Sequence, residues 1–402
     1  MSCRETLQSF LAWLAGEKGM TASTSTAAYC KARARLKRQD IEKANRQITK
    51  LMEKRYAGEQ LWFGRQVKIM DGSSVSMPDT PENQKAYPQP PGQKEGCGFP
   101  IMRIAVLFSL ATGAMIALTK DHWRVHERPL FRRLWKHLNP SDVLLADRGA
   151  CSYADIFLLS QQGIDCVMRN HPARSKGVTQ IKRFDKTDRL VFWHKTNQWL
   201  PWLTEEQWIA IPDRLAIREI TVQAACKGFR TQRLILVTTL LDPRLFPKKA
   251  FAELYLKRWR AELYLRDIKT TMGMDVLRCK SPQMVEKELW MHVVAYNLVR
   301  ALILESAHIC CVPFDRISFK GTLSTLRQWA PSLAHLSVRK QKRLRLYRIM
   351  LLYIAGDIVP YRPGRREPRA IKRRPKPYQY LTKPRHLFKE LPHRDKYRRK
   401  KA

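Results

Sequence analysis

The chain has 402 residues, 44% of them hydrophobic, enough for a main domain with a sizeable core and one or two smaller units. Its 75 Lys and Arg against 35 Asp and Glu give a formal net charge of +40, which implies a polyanionic partner, DNA or RNA before an anionic membrane surface. Nine scattered cysteines without a C-x-x-C pair exclude a zinc ribbon and a disulfide framework; no apolar run approaches the roughly 20 residues that cross a bilayer, and "MSCRETLQSF" lacks a signal-peptide pattern.

Residues 1–66 read as helical, with "YCKARARLKRQDIEKANRQITKLMEKRY" amphipathic and basic, and "TASTSTAAYC" offering Ser/Thr caps. A small DNA-binding unit and a plain helical hairpin fit this region equally well. From Val67 the period changes. "VKIMDGSSVSMP" reads as a strand, "DTPENQKAYPQPPGQKEGCG" as a loop, and "IMRIAVLFSL" with "GAMIALTK" as a hairpin. "RPLFRRLWKHL" is then a helix, "DVLLAD" a buried strand, "YADIFLLSQQ" a helix and "DCVMRN" a strand. That order predicts an α/β core with a mixed sheet over 67–170.

Residues 171–246 break the alternation. "LVFWHK", "QWIAIP", "AIREITVQAA" and "QRLILVTTLL" read as strands of a β-rich insertion. "PKKAFAELYLKRWRAELYLRDIKTTMG" resumes as one long helix, and "PQMVEKELWMHVVAYNLVRALILESA" as another, completing the core over 247–305. The adjacent Cys310 and Cys311 read as buried thiols, 306–360 as a C-terminal helical region, and 361–402 as a basic, Pro-rich tail suited to draping on DNA.

The chemistry is expected on the long helix. At about 100° per residue, Tyr255, Arg258, Glu262 and Lys269 share an arc of about 60°, beside an apolar arc of Leu254, Ala261, Tyr264, Leu265 and Ile268. The quartet would sit at the rim of a packed helix, looking into a cleft. Taken alone, an i,i+4 ion pair between Arg258 and Glu262 on a solvated face explains it better. Two further acids change the balance. Asp71 lies mid-strand after Ile69 and Met70, and Asp147 ends an apolar strand at the edge where α/β sheets collect ligands. Asp142, five residues before Asp147, is set aside because it should face the other way. Three separated carboxylates in a basic protein suit Mg²⁺ or Mn²⁺, and two such ions roughly 3.5–4 Å apart serve phosphodiester chemistry. His122 and His126 have no third ligand near in sequence, and no phosphate-binding G-x-x-x-x-G-K-[ST] loop occurs.

Tyr255, Arg258, Glu262 and Lys269 at these spacings, with "MDGSS" and "LADRGACSY" around the two aspartates, resemble the Y-R-E-K signature and Asp motifs of DDE insertion-sequence transposases. The resemblance covers roughly residues 65–300. It implies a ribonuclease-H-like core interrupted by the β-rich insertion, with Asp71, Asp147 and Glu262 as catalytic metal ligands for two Mg²⁺ or Mn²⁺ ions. Arg258, Lys269 and Tyr255 would hold DNA phosphates. It further implies nicking at terminal inverted repeats, attack of the freed 3′-hydroxyl on target DNA, and a homodimer working in the bacterial cytoplasm at the nucleoid. An aromatic side chain would stack on a flipped base, with Trp259, Trp193, Trp199 and Trp202 eligible. A covalent recombinase with a Tyr nucleophile and a catalytically inactive, transposase-derived DNA-binding protein are the competing readings.

Overall fold

The computed structural model describes residues 8–9, 11–12, 15–16, 25–92, 94–171, 177–224, 232–334, 339–360 and 381–388. The expected tail from Tyr361 therefore lies outside the described residues except for 381–388.

The basic N-terminal stretch forms two helices, α1 (Ala27–Arg35) and α2 (Arg38–Tyr56), within the region read as helical. The chain turns extended at Leu36 and Lys37, and Thr26 stands at the N-cap of α1 without a side-chain capping bond. Strand β1 (Val67–Ser76) follows, then α3 (Pro81–Ala86), a helical turn inside the expected loop. Thr80 accepts a bond from the Asn83 amide there and Pro81 takes the first turn, a pairing that starts a helix locally. β2 (Ile101–Ser109) and β3 (Met115–His122) make the expected hairpin. α4 (Glu127–Arg132) is shorter than "RPLFRRLWKHL" suggested. β4 (Val143–Ala146), α5 (Tyr153–Gln161) and β5 (Asp165–Arg169) complete the first half.

In the second half come β6 (Thr179–Asp185), β7 (Asp188–His194), α6 (Glu205–Ala210), β8 (Arg214–Ala224) and β9 (Gln232–Thr238). α6 corrects the reading of "QWIAIP" as a strand. Thr204 and Gln207 form a reciprocal capping box, and that local bonding outweighs the β-like composition. α7 (Lys248–Leu256), α8 (Trp259–Arg266), α9 (Pro282–Cys310), α10 (Phe319–Ala334) and α11 (Lys340–Gly356) finish the described chain. Cys311 ends α9 in a left-handed turn and is exposed, and Cys310 is half-buried, so neither is the buried thiol expected.

The nine strands of the described residues join one sheet of order β3-β2-β1-β4-β5-β9-β8-β7-β6. β1, β4 and β5 run parallel, and β2 and β3 are antiparallel to their neighbours, which is the ribonuclease-H-like core with its mixed sheet. The inserted strands extend this sheet, because β9 pairs antiparallel with the edge of β5. β2 and β4 are buried on both faces, which is why "AVLFS" and "VLLA" read as continuous rather than alternating runs. One face packs against α2, α7, α8, α9, α10 and α11, the other against α4 and α5. α9, by length and composition alone, could cross a membrane, yet it carries Val285, Leu289, Val293, Tyr296 and Ile303 into the core. Its buried Asn297 fixes the hairpin: the side chain accepts from the Met115 amide at 2.9 Å and donates to the Met115 carbonyl at 2.9 Å and to Asn45 of α2 at 2.7 Å.

Candidate active site

The register of the sheet brings two acids level. Ile69 of β1 lies opposite Leu145 of the parallel β4, and Asp71 and Asp147 each stand two residues further on. Side chains alternate along a strand, so both acids share the face of Ile69 and Leu145, which is the face that α8 covers. Gly72 donates its amide to Asp71 Oδ1 at 2.9 Å. A side chain at Gly72 would bring its Cβ within 2.8 Å of Glu127 Oε1 on the opposite face, so the exposed Glu127 side chain would have to swing aside.

Glu262 arrives from the helical side. The helix that carries it is not continuous, which corrects the 100° reckoning. Between α7 and α8 the amides of Lys257, Arg258, Arg260 and Ala261 each bond three residues back, at 2.9–3.1 Å, so the backbone tightens there. Past α8 it widens into a π-turn, Asp267–Thr271, which closes at Gly273 with φ +79°. Asp267 is held there by the buried Arg300 of α9, at 3.2 Å. The apolar arc was read correctly: Leu254, Ala261, Tyr264, Leu265 and Ile268 are all buried. The rim reading fails for two of the quartet, since Tyr255 and Arg258 are buried, while Glu262 keeps 56% of its side chain exposed and Lys269 is half-buried.

Arg258 joins the acids. Its Nη2 donates to Glu262 Oε1 at 3.0 Å, and its Nη1 stands 3.9 Å from Asp71 Oδ2. Asp147 and Tyr255 also act electrostatically on its guanidinium, while its Nε is buried without a bond. The i,i+4 pair that sequence offered as an alternative is therefore present, but it reaches across to β1. Burial pushes the Asp71 carboxyl up to about 6; the Gly72 amide and Arg258 pull the other way, and the charges of Glu262 and Asp147 add to the rise. Burial likewise raises the Tyr255 hydroxyl, which feels Asp147, Arg258 and Arg169. Lys269 donates to Ser73 Oγ at 2.8 Å, on the same face of β1 as Asp71.

Arg169 was missed from sequence. Ala146 lies opposite Met168, so Arg169 ends β5 level with Asp147. The equal length of "VLLAD" and "DCVMR", each an apolar run that ends on a charged residue, was the available signal. Of the aromatic candidates, Trp193 is removed: it is 1% exposed and donates its indole N–H to Glu219 at 3.3 Å. Trp199, Trp202 and Trp259 are partly exposed, and the Arg132 guanidinium covers the Trp202 ring at 3.3 Å.

Three carboxylates with no softer donor among them form a set suited to a hard divalent cation. Burial chiefly raises the Asp71 carboxyl, and a bound cation would favour its charged form. As the side chains stand, no three His, Cys, Asp or Glu residues among the described residues are grouped to hold an ion, and Arg258 balances the acids instead.

The family model described as Transposase DDE domain matches residues 62–298. The chain is 28% identical over 332 residues to the transposase InsG for insertion sequence element IS4 of Escherichia coli (strain K12), covering 80% of this chain and 71% of that relative. Among solved structures it is similar to a piggyBac transposase synaptic complex with hairpin DNA, determined by cryo-EM, with a TM-score of 0.38 and 9% identity. That likeness covers 71% of this chain, which spans 57% of the length of the solved one.

Proposed function

The chain belongs to the transposase DDE domain family, and from that premise we propose how its carboxylates serve the DNA cleavage and strand transfer of a transposase. Asp71, Asp147 and Glu262 are the ligands of Mg²⁺ or Mn²⁺, two ions in the working complex. When bound, the ions lower the pKa of the attacking water or 3′-hydroxyl and neutralise charge on the leaving oxygen. The chain's own groups do the rest. Arg258, Lys269 and Arg169 fix phosphate oxygens, and the Tyr255 hydroxyl, kept protonated by burial, donates a hydrogen bond to one of them. Trp259, exposed and three residues before Glu262, is the tryptophan nearest to it in sequence for stacking on an unpaired base. The substrates are transposon terminal inverted repeats and target DNA, two copies of the chain act on paired ends in a cut-and-paste reaction, and the work is done at the bacterial nucleoid.

The observation that carries this reading is that Arg258 interacts with all three acids, which come from positions as far apart as 71, 147 and 262 in sequence. The test is cutting of duplex DNA bearing the element's ends. Wild type should cut with Mg²⁺ and stop with EDTA. Asp147→Asn and Glu262→Ala should each slow cutting by roughly 10²–10³-fold or more, the scale of losing one charge-stabilising group at a reacting centre. Full-rate cutting by either variant overturns the assignment, as does EDTA-resistant cutting with a protein–DNA adduct. Tight binding by wild type without any cutting would instead identify an inactive derivative.

A further inference from the structure

Beyond the far end of β1 lies a cavity of about 970 Å³ bordered by the C-terminal half of α1, the loop after the π-turn, the start of α9, and α10. Four cations line it: Arg33, Arg278, Lys280 and Arg327, against the acids Glu82 and Glu288. Glu288 is already committed, because it accepts the backbone amides of Arg278 and Cys279 at 2.9–3.0 Å. The same loop is held from α3's side, where Thr80 donates to the Lys280 carbonyl at 2.7 Å and Asn83 to the Cys279 carbonyl at 3.3 Å. These bonds fix the backbone and leave the side chains of Arg278 and Lys280 exposed. None of the four cations has a carboxylate partner among the described residues, and Arg33 Nε is buried without a bond. Nearby cations of the same protein are paired, as Arg38 and Lys120 are with Glu286. Lys287, buried, donates to the Ala34 carbonyl at 2.8 Å and so sets α1, and Arg33 with it, over the first turns of α9. Ser281 makes no side-chain cap for that 29-residue helix, whose positive dipole end borders the cavity. Unpaired like charges held together on fixed backbone are unfavourable unless an anion joins them.

The cavity adjoins the end of the strand that carries Asp71. Ser76, at the end of β1, bonds both Asp275 and Leu277 of the bordering loop, at 3.0 and 2.9 Å. From Asp71 to Ser76 is five residues, about 17 Å of strand. A duplex lying along β1 would cover that length in about five base pairs, at 3.4 Å per pair. Lys269, on Ser73, stands between.

We propose that this cavity is a second DNA-backbone site, seating duplex phosphates about five base pairs from the scissile bond while the acids act at the cut. It rests on the DNA-cleaving reading of those acids and adds to it a contact that positions the duplex. Each phosphate contact contributes about 0.9 to the slope of log affinity against log salt. The experiment measures binding of end DNA by fluorescence anisotropy from 50 to 200 mM NaCl, with phosphate-ethylation interference on the same duplex. Arg278→Gln with Arg327→Gln should lower the slope by about 2 and erase interference about five pairs from the cut, and the paired Arg→Lys variant should keep both. An unchanged slope, or an interference pattern like wild type's, overturns the proposal. Both substituted side chains are exposed, and equal thermal unfolding of the variants checks that the fold is intact. Asp147→Asn, which should slow cutting as above, should bind with the wild-type slope, so failure of the catalytic assignment and failure of this site are read separately.

Discussion

Two arginine–carboxylate centres that draw on the same sheet are built to opposite ends. Arg218 on β8 is fully buried. It meets Asp188 of β7 through Nε at 2.9 Å and Nη2 at 2.6 Å, gives Nη1 to the Phe246 carbonyl at 2.7 Å, and lies over the Phe251 ring. One base faces one acid, and the guanidinium is bonded on every side. Arg258 serves three acids with one close bond, one contact at 3.9 Å and an unbonded Nε, and one of its acids is pushed up to about 6. The first centre is complete without a ligand. The second is electrostatically unfinished, as a site awaiting cations and phosphate should be.

The sharpest way to break this contrast is at the finished centre. Arg218→Ala leaves Asp188 buried and unpaired and should cost about 3–5 kcal/mol in urea unfolding, whereas Arg218→Met with Asp188→Leu should cost far less. A loss below about 1 kcal/mol for the single variant would show that the pair is not structural. The unfinished centre should respond with the opposite sign. Asp71 has a folded-state pKa raised from 3.8 to about 6, so its carboxylate penalises the fold. That penalty is absent below pH 3.8, grows through the interval, and is complete above pH 6. In metal-free buffer at pH 7, Asp71→Asn should therefore stabilise the protein, by up to about 3 kcal/mol, and the gain should vanish near pH 4. A variant destabilised at pH 7 would contradict the account.

The same contrast explains what could be read in advance. Asp71 and Asp147 stood out because apolar strands with one acid each are locally unusual, but that both share one face follows only when the register of β1 on β4 is added to strand parity. The apolar arc of the Glu-bearing helix was legible for the same reason, since periodicity records burial. The tightening at Lys257 and Arg258 was not. "YLKRWRAELYL" contains no Gly or Pro to mark it, and the contact that accompanies it, Arg258 to Asp71, spans 187 positions of chain. The pairing of β9 with β5 was hidden likewise, because it joins positions far apart in sequence. α6 was legible and overlooked: "TEEQ" is a capping box, and it outranked the β-like "QWIAIP".

The claim on which all of this turns is that one divalent-ion site draws on three distant parts of the chain. Fe²⁺ loaded in place of Mg²⁺ on the DNA complex, with ascorbate and peroxide, cleaves polypeptide backbone near the bound ion. The account predicts three groups of cuts, close to residues 71, 147 and 262, all suppressed by excess Mg²⁺ and lost in Glu262→Ala with Asp147→Asn. Cuts confined to other segments, or unaffected by those substitutions, would contradict it.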